Sequence, residues 1–295
     1  MERRDRMELH TIDAHSSHVN KVKYHPEESL ILSAGFNGEL YLWDAVKGKK
    51  MEEYSGHKVS VNSVQWIEGG NKLVSASADG TVLLHEISAS EPLKTIHDLK
   101  SGVSHLHFTY DHRYLLTSNK QSMLRIREWP DGELVHKLKS DQQNSGVLTT
   151  ASTDLHAIVG GVGSKLRRYL IPSGEILEEF EGHETAVMGF RFIREDSHAV
   201  SVGYDGTLNI WDMENHQKIE SYSLGGEGYY SIAVSPDEKE VAIAMPYKLL
   251  RLRLKDLKTE QHGLPAKGNY SVDYLSNGKQ LAIASADKKV RLIFL

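Results

Sequence analysis

The sequence predicts an all-β fold, a seven-bladed β-propeller of four-stranded antiparallel blades whose ring is closed by an N-terminal strand completing the last blade. Three observations carry this expectation. A tight-turn position recurs at steps of 42 residues, at Asn37, Asp79, Gln121, Gly163, Asp205 and Tyr247, and after a step of 40 at Asp287. Two apolar columns run through all seven units without exception. One stands fifteen residues before the turn, as Val22, Val64, Leu106, Leu148, Phe190, Ile232 and Val272. The other stands three after it, as Leu40, Val82, Leu124, Leu166, Leu208, Leu250 and Val290. Within each unit the apolar residues alternate over short runs, whereas helical repeats would show a 3.6-residue period; a repeat of about 40 to 45 residues built this way is the signature of propeller blades.

The elements of a unit follow in order. The first run alternates towards a large residue, as in Val22-Lys23-Tyr24, Val64-Gln65-Trp66, Leu106-His107-Phe108 and Val272-Asp273-Tyr274; a period of two means that one face is buried. The second run ends in small residues, as in Leu73–Ser77 and Ala199–Gly203, where a strand passes close to its neighbours. The turn follows, with Asn37-Gly38, Asp79-Gly80 and Asp205-Gly206 supplying dipeptides that tolerate positive φ. A third strand comes at once, such as Thr207–Trp211. The fourth is expected to be shorter and more polar, as in Lys49–Tyr54 and Ile176–Phe180, which suits an outer edge that must discourage pairing with other chains. The seventh unit stops at its third strand, Lys289–Leu295, while Met7–Ile12 precedes the first unit with no other role. Residues 1–13 are therefore expected to supply the closing strand with a short extension, and residues 1–295 to form one domain.

Composition narrows the function classes. No apolar run reaches the roughly 18 residues of a membrane span, and the N-terminus lacks the apolar segment of a signal peptide, so a cytoplasmic protein with no membrane partner is expected. The chain has no cysteine, which removes disulfides and thiolate metal sites, and its net charge of −5 argues against a phosphate backbone as the main partner.

The residues also resemble the WD-repeat family across nearly the whole chain. Leu40-Tyr41-Leu42-Trp43-Asp44 and Leu208-Asn209-Ile210-Trp211-Asp212 carry the name-giving dipeptide, and Gly56-His57 and Gly182-His183 carry the other half of the motif at the family's spacing. The resemblance implies that a histidine, the turn aspartate, a strand hydroxyl and the tryptophan form a buried hydrogen-bonded set. The fifth unit has all four as His183, Asp205, Ser201 and Trp211. The first keeps His15, Ser33 and Trp43 but has Asn37 at the turn; the second keeps His57, Asp79 and Ser75 but has His85 in place of tryptophan. Units three, four and six lose the set, with Gln121 and Arg127, Gly163 and Tyr169, and Tyr247 and Arg253, and unit seven keeps Asp287 but has Ile293. Two or three units should therefore be recognisable as repeats, while seven are expected because the burial columns persist and a ring cannot close with units missing.

Other constellations have simpler readings. Ser201, His183 and Asp205 have the composition of a hydrolase triad, but the blade network accounts for all three. His105 and His107 share a strand face without a third ligand placed beside them. Gly160–Lys165 lacks the spacing and the following helix of a phosphate loop, and the sequon Asn269-Tyr270-Ser271 has no secretory signal behind it. The paired arginines Arg125/Arg127, Arg167/Arg168 and Arg251/Arg253 fall on third strands, where their stems can cover apolar surface with the heads in water.

The resemblance also implies that partners contact the upper face, at residues just inside the first strand and just before the turn. Carried over by repeat position, the large residues are Met188, Tyr204, Tyr230, Tyr270 and Phe36, on neighbouring blades five, six, seven and one, with Lys120 on blade three. Tyrosine, phenylalanine and methionine are enriched at interface cores. The expected function is a non-catalytic protein or peptide interaction scaffold, a subunit or adaptor of a larger complex and monomeric by itself, with no cofactor and no catalytic or metal-binding residue. The alternatives are a metal-dependent hydrolase or lactonase working in the central channel, or nucleic-acid binding along the arginine-bearing blades.

Overall fold

The computed structural model describes residues 9–97, 101–119, 121, 123–139, 147–151, 155–161, 165–226, 228, 231–266 and 268–295. They form seven antiparallel sheets of four strands, each sheet a blade of the ring. In blades one to six the strands follow chain order from the channel outwards. Blade seven is composite: Leu9–Asp13 pairs antiparallel with Lys289–Phe294, Leu9 opposite Ile293 and Asp13 opposite Lys289. The N-terminal strand is thus the outer strand of the last blade. The preceding residues of the expected extension lie outside the described residues.

The blades are held together by what the two columns bury. Every residue of both columns is buried, and the apolar clusters form between blades as well as within them. Leu32, Leu40 and Leu42 of blade one pack with Val64, Trp66 and Leu73 of blade two. At the seam, Ile12 and Ala14 join Val19, Trp43, Ala284 and Leu292 in one cluster. Burying a side chain such as Ile12 contributes about 1.5–3 kcal/mol, so the closing strand is held by its core contact as well as by its ladder.

The outer strands of blades two, six and seven, Lys94–His97, Thr259–Gly263 and Leu9–Asp13, are shorter than the strands they flank, as expected, and others are not. Lys49–Tyr54 has six residues, and Glu175–Glu181 and Gln217–Ser223 have seven each, as long as the strands they flank. Edge protection comes instead from composition: Gln217–Ser223 exposes nearly every side chain and carries Lys218 and Glu220.

Candidate functional site

The hydrogen-bonded sets fix the upper rim, and blade five shows how. His183 is drawn under the turn so that Nδ1 faces Asp205 Oδ2 at 3.1 Å and Nε2 lies 2.7 Å from Ser201 Oγ, which also accepts the Trp211 indole N–H at 2.8 Å. Thr207 N–H and the Glu184 N–H donate to the same carboxylate. Close approach makes this possible: a Cβ on Gly203 would stand 2.4 Å from His183 Nδ1, so only glycine fits opposite the ring. Burial pushes the His183 imidazole below its ordinary pKa, against the raising field of Asp205. The Asp205 carboxyl is pushed up by burial, but the hydrogen bonds from Thr207 and Glu184 outweigh this and hold it below the usual carboxylate range. Ser201 is fully buried with its lone-pair and proton directions engaged, which leaves no path by which the hydroxyl could attack a substrate.

Blade one reaches the same result with different residues. His15 Nε2 lies 2.7 Å from Ser33 Oγ, and Trp43 donates to that oxygen at 2.8 Å. Asn37 does not face the histidine; it donates to Ser16 Oγ, and the carboxylate comes from Glu39, whose Oε2 is 3.1 Å from His15 Nδ1. Position 39 corresponds to Thr81 and Thr207, which brace the aspartate in blades two and five. A longer acid two residues on replaces the pair. In blade two His57 reaches Asp79 and Ser75, but His85 turns away to the Ser55 carbonyl at 3.0 Å. Blade seven uses Asp287 otherwise, as the ion-pair partner of buried Arg291.

Above these sets lies the candidate interaction surface. In blades one, two, five and seven the pairing of the innermost strand skips one residue against its neighbour, between Val19 and Lys21, Val61 and Ser63, Val187 and Gly189, and Asn269 and Ser271. The extra residues are Asn20, Asn62, Met188 and Tyr270. A bulge re-aims its unpaired side chain, and here it does so at the channel mouth, where all four line the cavity. Asn20 and Asn62 turn to the next blade, donating to the carbonyls of Val61 and Val103. Met188 is half-buried and Tyr270 is 37% exposed, its ring lying across Gly268.

Phe36, at the blade-one turn, is 51% exposed. It meets Tyr270 through exposed His18, whose ring centroid is 5.6 Å from Phe36 and 6.1 Å from Tyr270. His18 was not among the expected site residues, yet the repeat marks it: the corresponding positions are Ser60, Gly102, Asn144, Ala186, Gly228 and Gly268, so this is the one bulky residue in a column of small ones. Tyr204 on blade five is 36% exposed, and Tyr247, at the turn of blade six, 55%. Lys120 and Tyr230 lie outside the described residues. The opposite mouth is also apolar, a cavity of about 720 Å³ whose walls include Trp66, Phe108 and Tyr274 with exposed Tyr110.

The arginine pairs do not form a basic groove. Arg251 binds Glu240 through two nitrogens and Glu260 through a third, Arg253 pairs with Asp256, and Arg167 with Glu179. Arg127 donates to the Gly132 carbonyl, and Arg253 stays largely in water beside its carboxylate, at 59% side-chain exposure. His107 Nδ1 faces the Phe108 carbonyl at 2.9 Å. Among the described residues no group of three or more metal-ligating side chains comes together, and no helix is long and apolar enough to cross a membrane.

The family described as WD domain, G-beta repeat matches residues 6–44, 48–86 and 174–212. These are the three segments that carry the histidine–carboxylate–serine sets, and each match ends on a third strand, so the sequence repeat is offset by one strand from the blade. Pre-mRNA-processing factor 19 of Oryza sativa subsp. japonica is 22% identical over 232 residues, covering 74% of this chain and 44% of that protein. Eukaryotic translation initiation factor 3 subunit I of Neurospora crassa is 25% identical over 173 residues, covering 58% of this chain and 49% of that protein. The chain spans about half the length, or less, of the first curated relatives it matches. The solved WD40 beta propeller domain of Doa1 superposes with a TM-score of 0.84 at 19% identity, over 97% of this chain and 96% of that one.

Proposed function

We propose that this chain, a divergent member of the WD-repeat family, is a non-catalytic scaffold that binds a protein or peptide partner through the upper face of its propeller. The observation that carries the reading is the exposed ring cluster Phe36–His18–Tyr270 at the channel mouth, with Met188 beside the opening. Such side chains lose little entropy on binding and supply most of the energy of a small interface. A rigid closed ring holds them in place before the partner arrives. The names of the relatives, a processing factor and a subunit of an initiation factor, support a role inside a larger assembly, and a cytoplasmic location remains part of the reading.

Co-purification from native lysate, quantified by mass spectrometry for the wild-type chain and for Phe36→Ala with Tyr270→Ala, tests it. A partner lost from the double variant, with an unchanged thermal midpoint, is expected. Identical partner lists would refute the upper face and direct attention to the apolar mouth around Tyr110.

A further inference from the structure

The innermost strands place side chains in the channel on either side of each buried column residue, because strand faces alternate. Val22 is flanked by Lys21 and Lys23, Leu106 by His105 and His107, while Arg191 follows Phe190 and Asp273 follows Val272. Those six polar residues line one cavity of about 340 Å³, within the range of small-molecule pockets, about 300–1,000 Å³.

The charges there do not balance. Two lysines and an arginine face one carboxylate, inside a chain whose net charge is −5. Asp273 is already engaged by both oxygens, with Lys23 Nζ at 2.9 Å and the Tyr24 N–H at 2.8 Å. Arg191 donates to the Phe190 carbonyl at 2.7 Å, and among the described residues no carboxylate lies within ion-pair distance of it. Lys21 makes no hydrogen bond or ion pair among the described residues. Burial, then the charges of Arg191 and Lys23, push Lys21 down to about 8. Like charges clustered in one cavity cost stability unless counter-charges match them, and Asp273, already engaged by Lys23, is the one carboxylate among the described lining residues.

We infer that the channel is a binding site for one small polyphosphate anion, held between Lys21 and Lys23 of blade one and Arg191 of blade five. Blades one and five stand three apart in a ring of seven, so cations on both are bridged by an anion with several charged centres rather than one. Guanidinium and ammonium groups are the side chains that take phosphoryl oxygens. The site is independent of the upper-face reading, since none of its three cations belongs to the ring cluster.

Calorimetric titration of the full chain with tripolyphosphate tests the inference, with ATP as a competing arm. One equivalent should bind and raise the thermal midpoint. Lys21→Met and Arg191→Met should each weaken binding at least tenfold while the free variants melt at or above the wild-type temperature, because repulsion is relieved. Competition by ATP would assign the anion to a nucleotide's triphosphate; binding of tripolyphosphate without ATP competition would assign a free polyphosphate. Absence of binding to the wild-type chain at millimolar tripolyphosphate, or undiminished binding in both variants, would overturn the site.

Discussion

A serine hydroxyl has one proton and two lone pairs, enough to satisfy a histidine and an indole together. Ser33 and Ser201 do this for His15 with Trp43 and for His183 with Trp211, whereas Ser75 serves His57 alone because His85 turns to a backbone carbonyl. Removing the hydroxyl leaves each buried partner unsatisfied at about 1–3 kcal/mol. Ser201→Ala is therefore expected to cost about 2–4 kcal/mol and Ser75→Ala about half as much, read from paired denaturant midpoints. Equal losses would contradict the geometry of blade two. His183, Asp205, Ser201 and Trp211 were legible because all four types stand at their expected spacing. Glu39 was not, because the repeat puts the carboxylate at the turn, and a glutamate two positions on reaches the His15 imidazole only through its longer side chain.

Small irregularities in the innermost strands set which side chains face the channel mouth. The bulges that lift Met188 and Tyr270 leave no mark in a count of apolar columns, since Phe190 and Val272 keep their spacing to the turn whether or not the preceding residue is paired. The column and turn spacings were enough to set blade number and strand order. The composite blade was legible for a simple reason, that the last unit lacks an outer strand and the first has one to spare. Its stability consequence belongs to the element. Leu9–Asp13 closes the open edge of Lys289–Phe294 and buries Ile12 against Val290 and Leu292. Deleting residues 1–13 removes that ladder and exposes a strand edge, so the thermal midpoint should drop by well over the roughly 2–5 kcal/mol equivalent of Ile12→Ala alone. A truncated chain melting with the intact one would refute closure by this strand.

Across the whole molecule, burial of titratable groups sets how stability responds to pH. Burial pushes His15, His57, His85, His107 and His183 below the ordinary imidazole value, His107 to about 4. Below pH about 6.5 the unfolded chain takes up protons that these folded sites refuse, so stability falls on acidification through that window. His107 alone contributes on the order of 3 kcal/mol, lost between pH 6.5 and about 4. Lys21 acts with the same sign at higher pH. Folded, it releases its proton near 8, while the unfolded side chain holds it to about 10.5, so the unfolded state binds more protons between those values and stability rises with pH. Thermal midpoints should therefore climb from pH 5 through 7 towards 9, instead of peaking near neutrality. His107→Gln should flatten the acid limb and Lys21→Met the alkaline limb. Bound tripolyphosphate should also flatten the alkaline limb, because an anion beside Lys21 restores its charged form. An alkaline limb that stays steep in Lys21→Met would show that the channel cations do not govern it.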